Sequence, residues 1–187
     1  MKNPQPVLSI DVDWVNNYNQ FLELIDFSIK KFKISSKIIF IEQHHNIIKY
    51  LDEKDNYIIN IDHHHDIIQL EETPHELHMG NWVNYLINQQ RLNHYMWIHN
   101  IDSMVELDNL HPIRQIKSFK MDPYLNSISD INFEKIIICK SFDFIPHDNK
   151  QMGLGTIYEI LKNIALNIFK EKTIIDDLSN PFSILTY

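Results

Sequence analysis

Short hydrophobic runs alternate in the first third of the chain with stretches of helical periodicity. The runs at residues 7–12, 37–42 and 57–62 predict strands, and the third is apolar almost throughout, as expected for a strand buried on both faces. Residues 18–33 place apolar side chains at helical spacing, and residues 46–51 predict a short helix. The resulting βαβαβ pattern is typical of a parallel sheet covered by helices.

The rest of the chain gives a less regular pattern, and residues 100–130 predict no element that can be assigned. The predicted elements are a helix at 80–92, a strand at 95–98, a β-rich run at 135–142, a loop at 146–151 and a helix at 156–170. No internal repeat or long linker divides the sequence. We therefore predict a single α/β domain over residues 1–187, with three αβα layers around a mainly parallel sheet and ligands at the carboxyl ends of its strands.

Composition and charge exclude several partners. The 187 residues carry 17 Lys and Arg against 25 Asp and Glu, a net charge of −8, which is the wrong sign for binding nucleic acid. No apolar run approaches the roughly 20 residues needed to span a bilayer, and the first residues lack the apolar core of a signal peptide. A single cysteine, Cys139, allows no internal disulfide. We therefore expect an unprocessed cytoplasmic protein that binds neither membrane nor nucleic acid.

Acidic and imidazole side chains gather where the predicted strands end. They are Asp11 and Asp13 after the first, His44 and His45 after the second, residues 62–66 after the third and Asp143 after the last. If residues 62–66 are extended, Asp62, His64 and Asp66 share one face. Their mutual repulsion at one sheet edge favours a bound cation. The alternatives are a solvated polar loop for residues 62–66, and a capping role for Asp11 and Asp13.

Three segments resemble the arginase, or ureohydrolase, superfamily. Asp62-His63-His64-His65-Asp66 is similar to its Asp-x-His-x-Asp signature, and Ser141-Phe142-Asp143 to the opening of its Ser-Phe-Asp-x-Asp strand. Glu42-Gln43-His44 resembles the earlier strand end that carries a single histidine ligand, and the order of the segments over residues 38–146 also matches. Together with Gly80-Asn81-Trp82, they resemble the small peptide arginases, which convert arginine side chains of a ribosomal precursor peptide to ornithine.

The resemblance implies the ureohydrolase fold and two Mn²⁺ ions that activate water for attack on a guanidinium carbon. The metal ligands that it implies are His44, Asp62, His64, Asp66 and Asp143. The family's second aspartate, two residues beyond Asp143, is Ile145 in this chain. We expect Asp11 and Asp13 to replace it, because residues 9–13 read Ser-x-Asp-x-Asp at a strand end. His147 and Asp148 are weaker substitutes.

Catalytic residues are less well marked than metal ligands. Residues 153–159 resemble a family segment whose glutamate holds the substrate guanidinium, which makes Glu159 a candidate. An exposed glutamate in the first turns of a helix explains the same residue. The candidates for the proton donor to the leaving amine are His65, His78 and His147. Each is equally explained as a surface histidine.

Three functions follow from these motifs. The first is hydrolysis of arginine, more in a peptide than as the free amino acid, because the chain is short for an arginase and its net charge suits a cationic substrate. The second is a dimetal phosphoesterase of the Asp-His-His type, which residues 11–13 and 62–64 also resemble, although the bulky Trp14 fits it poorly. The third is a non-catalytic relative that binds a metal or peptide, which Ile145 makes plausible. The sequence leaves self-association into an oligomer open.

Overall fold

The computed structural model describes residues 5–54, 56–68, 77–103, 107, 111–140 and 154–176. These residues form a seven-stranded sheet in which all neighbouring strands are parallel, in the order β5-β4-β3-β1-β6-β2-β7. The strands are β1 (Val7–Asp11), β2 (Lys37–Ile41), β3 (Asn56–Ile61), β4 (Leu92–Ile98), β5 (Ser118–Asp122), β6 (Lys135–Cys139) and β7 (Thr173–Asp176). The predicted α/β class with a parallel sheet is confirmed.

Helices cover both faces of the sheet. Helices α1 (Tyr18–Ile34) and α3 (Leu154–Ile168) pack together on one hydrophobic core. Helix α2 (Trp82–Asn88) and the 3₁₀ helix His44–Tyr50 share a second core. The other 3₁₀ helices within the described residues are Val12–Trp14, His111–Gln115, Leu125–Ile128 and Lys170–Lys172. This arrangement is compatible with the predicted three layers, and no helix in the described part of the chain has the length and apolarity that crossing a membrane requires.

The order of the strands creates a crevice at the carboxyl ends of β1 and β3. These two strands are neighbours, with Val7 paired to Ile58 and Ile10 to Ile61. The chain leaves β1 toward β2 on one side and returns to form β3 on the other. In sheets of this kind, ligands bind where the connections diverge. The residues that follow β1, β2 and β3 therefore line the expected site.

The predicted boundaries hold best for the central elements. Strands predicted at 7–12, 37–42 and 57–62 match β1, β2 and β3 to within one residue, and helices predicted at 18–33 and 156–170 match α1 and α3 to within two. The segment predicted as a short helix at 46–51 lies mostly within the 3₁₀ helix His44–Tyr50. The strand predicted at 135–142 corresponds to β6, and its last two residues lie outside the described part of the chain, as does the loop predicted at 146–151. The helix predicted at 156–170 ends two residues earlier than expected, at Ile168.

The helix predicted at residues 80–92 is wrong in its extent. Helix α2 ends at Asn88, because Gln90 adopts a left-handed φ of 56°. The Arg91 amide then bonds to the Leu86 carbonyl at 2.9 Å and the Gln90 amide to the Ile87 carbonyl at 2.9 Å, a pairing that closes the C-terminus of a helix. Leu92, predicted as helical, instead begins β4.

Candidate metal centre

Four carboxylates and two imidazoles line one small cavity at the carboxyl edge of the sheet. They are Asp11, Asp13, His44, Asp62, His64 and Asp66. All are buried except His64, whose side chain is 41% exposed. The cavity has a volume of about 40 Å³, and since one water needs roughly 10–15 Å³ of such space, it has room for a few waters or cations. The structure thus brings together six of the seven predicted metal ligands.

His44 directs one ring nitrogen at three carboxylates. Its Nδ1 lies 3.2 Å from Asp11 Oδ2 and 3.0 Å from Asp62 Oδ2. It also lies 3.1 Å from Asp66 Oδ2. A single N–H cannot satisfy three acceptors, so three carboxylate oxygens converge on one ring nitrogen. The other nitrogen, Nε2, lies 2.8 Å from Ser9 Oγ, which holds the ring in this orientation.

A second group forms around His64. Its Nδ1 lies 3.3 Å from Asp13 Oδ2 and 3.9 Å from Asp62 Oδ1. The two oxygens of Asp62 therefore face different histidines. The donor atoms of His44, Asp62 and Asp66 lie within 4.8 Å of one another, as do those of Asp13, Asp62 and His64. These buried clusters could hold metal ions, and Asp62 would be a ligand in both.

Local backbone geometry brings the ligands of residues 62–66 together. The segment bends after β3 and is not extended, so the alternation expected from the sequence is the wrong reason for their convergence. The His64 amide donates to Asp62 Oδ1 at 2.8 Å. Asp66 has a left-handed φ of 55°, which is uncommon for aspartate and costs energy that the surrounding contacts must offset. One such contact is the Val83 amide, which bonds to the Asp66 carbonyl at 3.1 Å.

Burial and crowding change the protonation of the cluster. Burial, with the nearby Asp66 carboxylate, raises the pKa of Asp62 to about 7. Burial by itself would lower the pKa of His64, but the hydrogen bond to Asp13 and the charge of Asp62 outweigh it and raise the pKa to about 9. The same competition raises the pKa of His44 well above its usual range, chiefly because of Asp62. Without a cation, the cluster therefore holds protons that a metal ion would have to displace.

Affinity for a divalent cation is consequently expected to rise with pH. Below about pH 9, His64 must lose its proton before it can bind a cation, and below about pH 7 Asp62 must also lose one. Each displaced proton costs about tenfold in affinity per pH unit, so binding should tighten by at least roughly 100-fold between about pH 6 and pH 8. Competition against a fluorescent chelator, corrected for the chelator's own protonation, measures this. Equal affinity at both pH values would show that the cluster does not bind the ion.

Buried side chains behind the cluster fix its carboxylates. The Trp82 indole N–H donates to Asp66 Oδ2, and its ring lies 5.0 Å from that of His44. Asn60 Nδ2 donates to Asp62 Oδ2 at 3.1 Å and to the Tyr95 hydroxyl at 3.1 Å. Such supporting contacts orient metal ligands. Sequence reasoning missed Asn60, although a polar residue inside the apolar run of β3 was a usable signal.

Removing the hydroxyl that holds His44 should weaken cation binding without unfolding the protein. Ser9→Ala leaves the Nε2 atom of His44 without its partner, and losses of this kind typically cost 10- to 100-fold in metal affinity, which we expect here at roughly that size. Ser28→Ala is the matched control, because Ser28 is equally buried but lies on α1. Isothermal titration with Mn²⁺ compares the two variants. Equal affinities would mean that Ser9 does not position the histidine.

Two of the three predicted proton donors, His65 and His78, are not among the residues found to line the cavity, and His147 lies outside the described residues. His65 accepts a hydrogen bond from the Ile67 amide at Nδ1, 3.0 Å away, and its ring packs edge-on against Trp97. Burial lowers the pKa of His65, with a further contribution from His64. His78 accepts from the Gly80 amide at 3.1 Å, and its buried Nε2 has no hydrogen-bond partner among the described residues. The hydrogen bonds of both rings are thus made to neighbouring backbone amides and not to the six clustered side chains.

Glu159 is also placed apart from the cluster. It lies on an exposed part of α3, with its carboxylate 3.9 Å from the ammonium of Lys162, and it does not line the cavity. The structure thus favours the surface interpretation of this residue over guanidinium binding. Asp143, Ile145, His147 and Asp148 lie outside the described residues. By contrast, Asp11 and Asp13 occupy the cluster, as expected for the replacement of a missing aspartate.

Comparisons with known proteins returned no match. No family model matches the chain, and no curated protein or solved structure is significantly similar to it. Fold and site alone therefore define what the molecule is: an α/β protein with one parallel sheet, whose buried aspartate and histidine clusters could hold a metal ion.

Proposed function

We propose that this chain has the ureohydrolase fold and is a manganese-dependent hydrolase that converts arginine side chains of a peptide to ornithine and urea. The observation that carries the proposal is the position of Asp62, whose two oxygens face His44 and His64. A carboxylate shared between two ligand groups suits a pair of cations. Both groups contain only carboxylate and imidazole donors, which suit Mn²⁺. The resemblance of residues 62–66 to the superfamily's signature supports arginine as the substrate.

Asp11 and Asp13 complete the proposed ligand set. Asp11 adds one carboxylate beside His44, at 3.2 Å, and Asp13 adds one beside His64, at 3.3 Å. Their position immediately after β1 supports the idea that they take the role of the aspartate pair that is interrupted at Ile145. The Asp13 amide also donates to Asp11 Oδ1 at 3.1 Å, so the local turn and the ligand geometry depend on the same residues.

The charge of the protein and the apolar part of the cavity lining suit an arginine side chain. When bound, divalent cations act as Lewis acids that lower the pKa of water toward neutrality and supply a nucleophile. In the proposed reaction, water adds to the guanidinium carbon, the bond from that carbon to the side-chain Nε breaks, and a proton passes to the departing amine. The clustered carboxylates would hold the cations, and the net charge of −8 over the whole chain favours the approach of a cationic substrate. Ile68 and Met79 also line the cavity, and their apolar surfaces suit the methylene stem of an arginine side chain.

A dimetal phosphoesterase is the second candidate. The group of Asp13, Asp62 and His64 joins the two segments that resemble the Asp-His-His family. However, the bulky Trp14 directly follows Asp13 and is buried, at a position where the Asp-His-His family tends to carry small residues. The His63 ring also turns away, with its Nδ1 3.5 Å from Ser103 Oγ. These features favour the guanidinium substrate.

Product analysis separates the candidates. Metal-stripped protein reloaded with Mn²⁺ is incubated with arginine peptides of varied flanking sequence, with free arginine, and in parallel with a dinucleotide. We expect mass spectrometry to show peptides whose mass has fallen by the difference between arginine and ornithine. Urea should be released at the same time, and only when Mn²⁺ is present. Nucleotide release without ornithine would establish the phosphoesterase instead. If no substrate yields either ornithine or a nucleotide, both enzymatic functions are contradicted and a binding role is left.

A further inference from the structure

The thiol of Cys139 lies behind the metal cluster, where three strands end side by side. Strand β6 lies between β1 and β2, so Cys139 pairs with Asp11 on one side and with Ile41 on the other. His44 follows β2, and its ring contacts Asp11 at the end of β1 although β6 lies between these two strands. Donor atoms of Asp11, His44 and Cys139 lie within 4.8 Å of one another. The Cys139 thiol, a soft metal donor, therefore lies close to two side chains that also belong to the carboxylate cluster, Asp11 and His44.

We propose that Asp11, His44 and Cys139 form a site for a thiophilic divalent cation such as Zn²⁺ or Co²⁺, which competes with the manganese site. All three side chains are buried. With metal–sulfur bonds of about 2.3 Å and metal–nitrogen bonds of about 2.0 Å, a tetrahedral ion places two such donors about 3.5 Å apart. The donor atoms lie within 4.8 Å of one another, so side-chain shifts of about 1 Å would close the site. The existence of this site does not depend on the substrate; only its inhibitory consequence rests on the proposed hydrolase.

The chemistry of the three donors explains the selectivity. Thiolate prefers Zn²⁺ and Co²⁺, whereas Mn²⁺ prefers oxygen and nitrogen ligands. On binding, the Cys139 thiol loses its proton to solvent, and without a cation the resulting thiolate would be repelled by the Asp11 carboxylate. Because His44 and Asp11 also belong to the carboxylate cluster, an ion at this site removes two ligands from the manganese site. A thiophilic metal would thus hold the protein in an inactive form.

Cobalt spectroscopy tests the proposal directly. Titration of the metal-stripped full chain with Co²⁺ should produce a strong near-ultraviolet band from thiolate-to-cobalt charge transfer, and Zn²⁺ should abolish it. The matched variant Cys139→Ser should lose the band and bind Zn²⁺ at least about tenfold more weakly, with Mn²⁺ affinity changed less than twofold. Cys139→Ala is the second variant, and circular dichroism checks that both are folded.

Two results would overturn the proposal once cobalt is seen to bind. One is cobalt binding with visible d–d bands but no charge-transfer band in the wild-type chain. The other is Zn²⁺ affinity that is the same in the wild type and in the folded Cys139 variants. Absence of any cobalt binding would also reject it. Failure to produce ornithine from arginine peptides would leave the cobalt result standing, so the two proposals fail separately.

Discussion

Asp62→Asn should reduce manganese-dependent ornithine formation by at least roughly 1,000-fold, which corresponds to about 4 kcal/mol of transition-state stabilisation. Asp62 is the residue shared by the two ligand groups, and its oxygens face His44 and His64 separately. Asparagine keeps one oxygen but directs an N–H at one of the two positions, which repels a cation there. Initial rates at saturating Mn²⁺, together with the metal content of the variant by mass spectrometry, measure the effect.

The matched control for this substitution is Asp26→Asn. Asp26 lies on α1 with its side chain 66% exposed, paired to Lys30 across one helical turn, and exposed pairs of this kind contribute little to stability. Its activity and metal content should equal those of the wild type. Asp62→Asn should fold at least as stably as the wild type without metal, since it removes one of several crowded carboxylates. Retained activity in this folded variant would contradict the assignment.

Manganese should stabilise the wild-type chain by a large amount. Binding to the folded state alone contributes about 2.7 kcal/mol when free ligand is 100 times the Kd. For a chain of this size, each kcal/mol raises the Tm by about 2–4 °C, so the expected rise is about 5–10 °C. The effect is expected because four carboxylates share one cavity with two imidazoles. Thermal unfolding followed by circular dichroism records it, at about pH 8, where fewer protons compete with the cation than at neutral pH.

Variants of the cluster show whether the stabilisation is specific. Asp66→Asn and Asp62→Asn should lose most of the manganese-dependent rise in Tm, whereas Asp26→Asn should keep it. Asp66 is informative because it belongs to one ligand group only, so it should retain a weaker response than the wild type. An equal rise in all of these proteins would indicate ion binding elsewhere on the acidic surface and would contradict the proposed site.

The central strands were predictable from sequence because they are buried on both faces. β1 and β3 have almost no exposed residues, and the resulting continuous apolar runs are unambiguous. β5 and β7 lie at the two edges of the sheet and are only partly buried. Their mixed composition carries no clear periodicity, which is why the sequence did not predict them. The error at α2 has a different cause. The helix ends at a left-handed residue, Gln90, and the sequence has no glycine there to signal the end.

The ligand set was predictable in outline because parallel strands bring their carboxyl ends to one edge. The geometry was not. The left-handed backbone of Asp66 and the bond from His44 to Ser9 depend on tertiary contacts that no local pattern encodes. The position of Glu159 outside the cavity lining has a related cause: a short motif resemblance does not specify which face of a helix turns toward the site. His65 likewise packs on Trp97 instead of facing the cavity.

Anomalous diffraction from crystals grown with Mn²⁺ addresses the existence of the metal centre without any assumption about substrate. We expect two manganese peaks roughly 3.5–4 Å apart, one beside His44 and Asp66 and the other beside Asp13 and His64, with Asp62 bonded to both. Well-ordered carboxylates with no manganese peak within bonding distance of Asp62 would show that the cluster is not a metal centre, and the proposed hydrolase would fall with it.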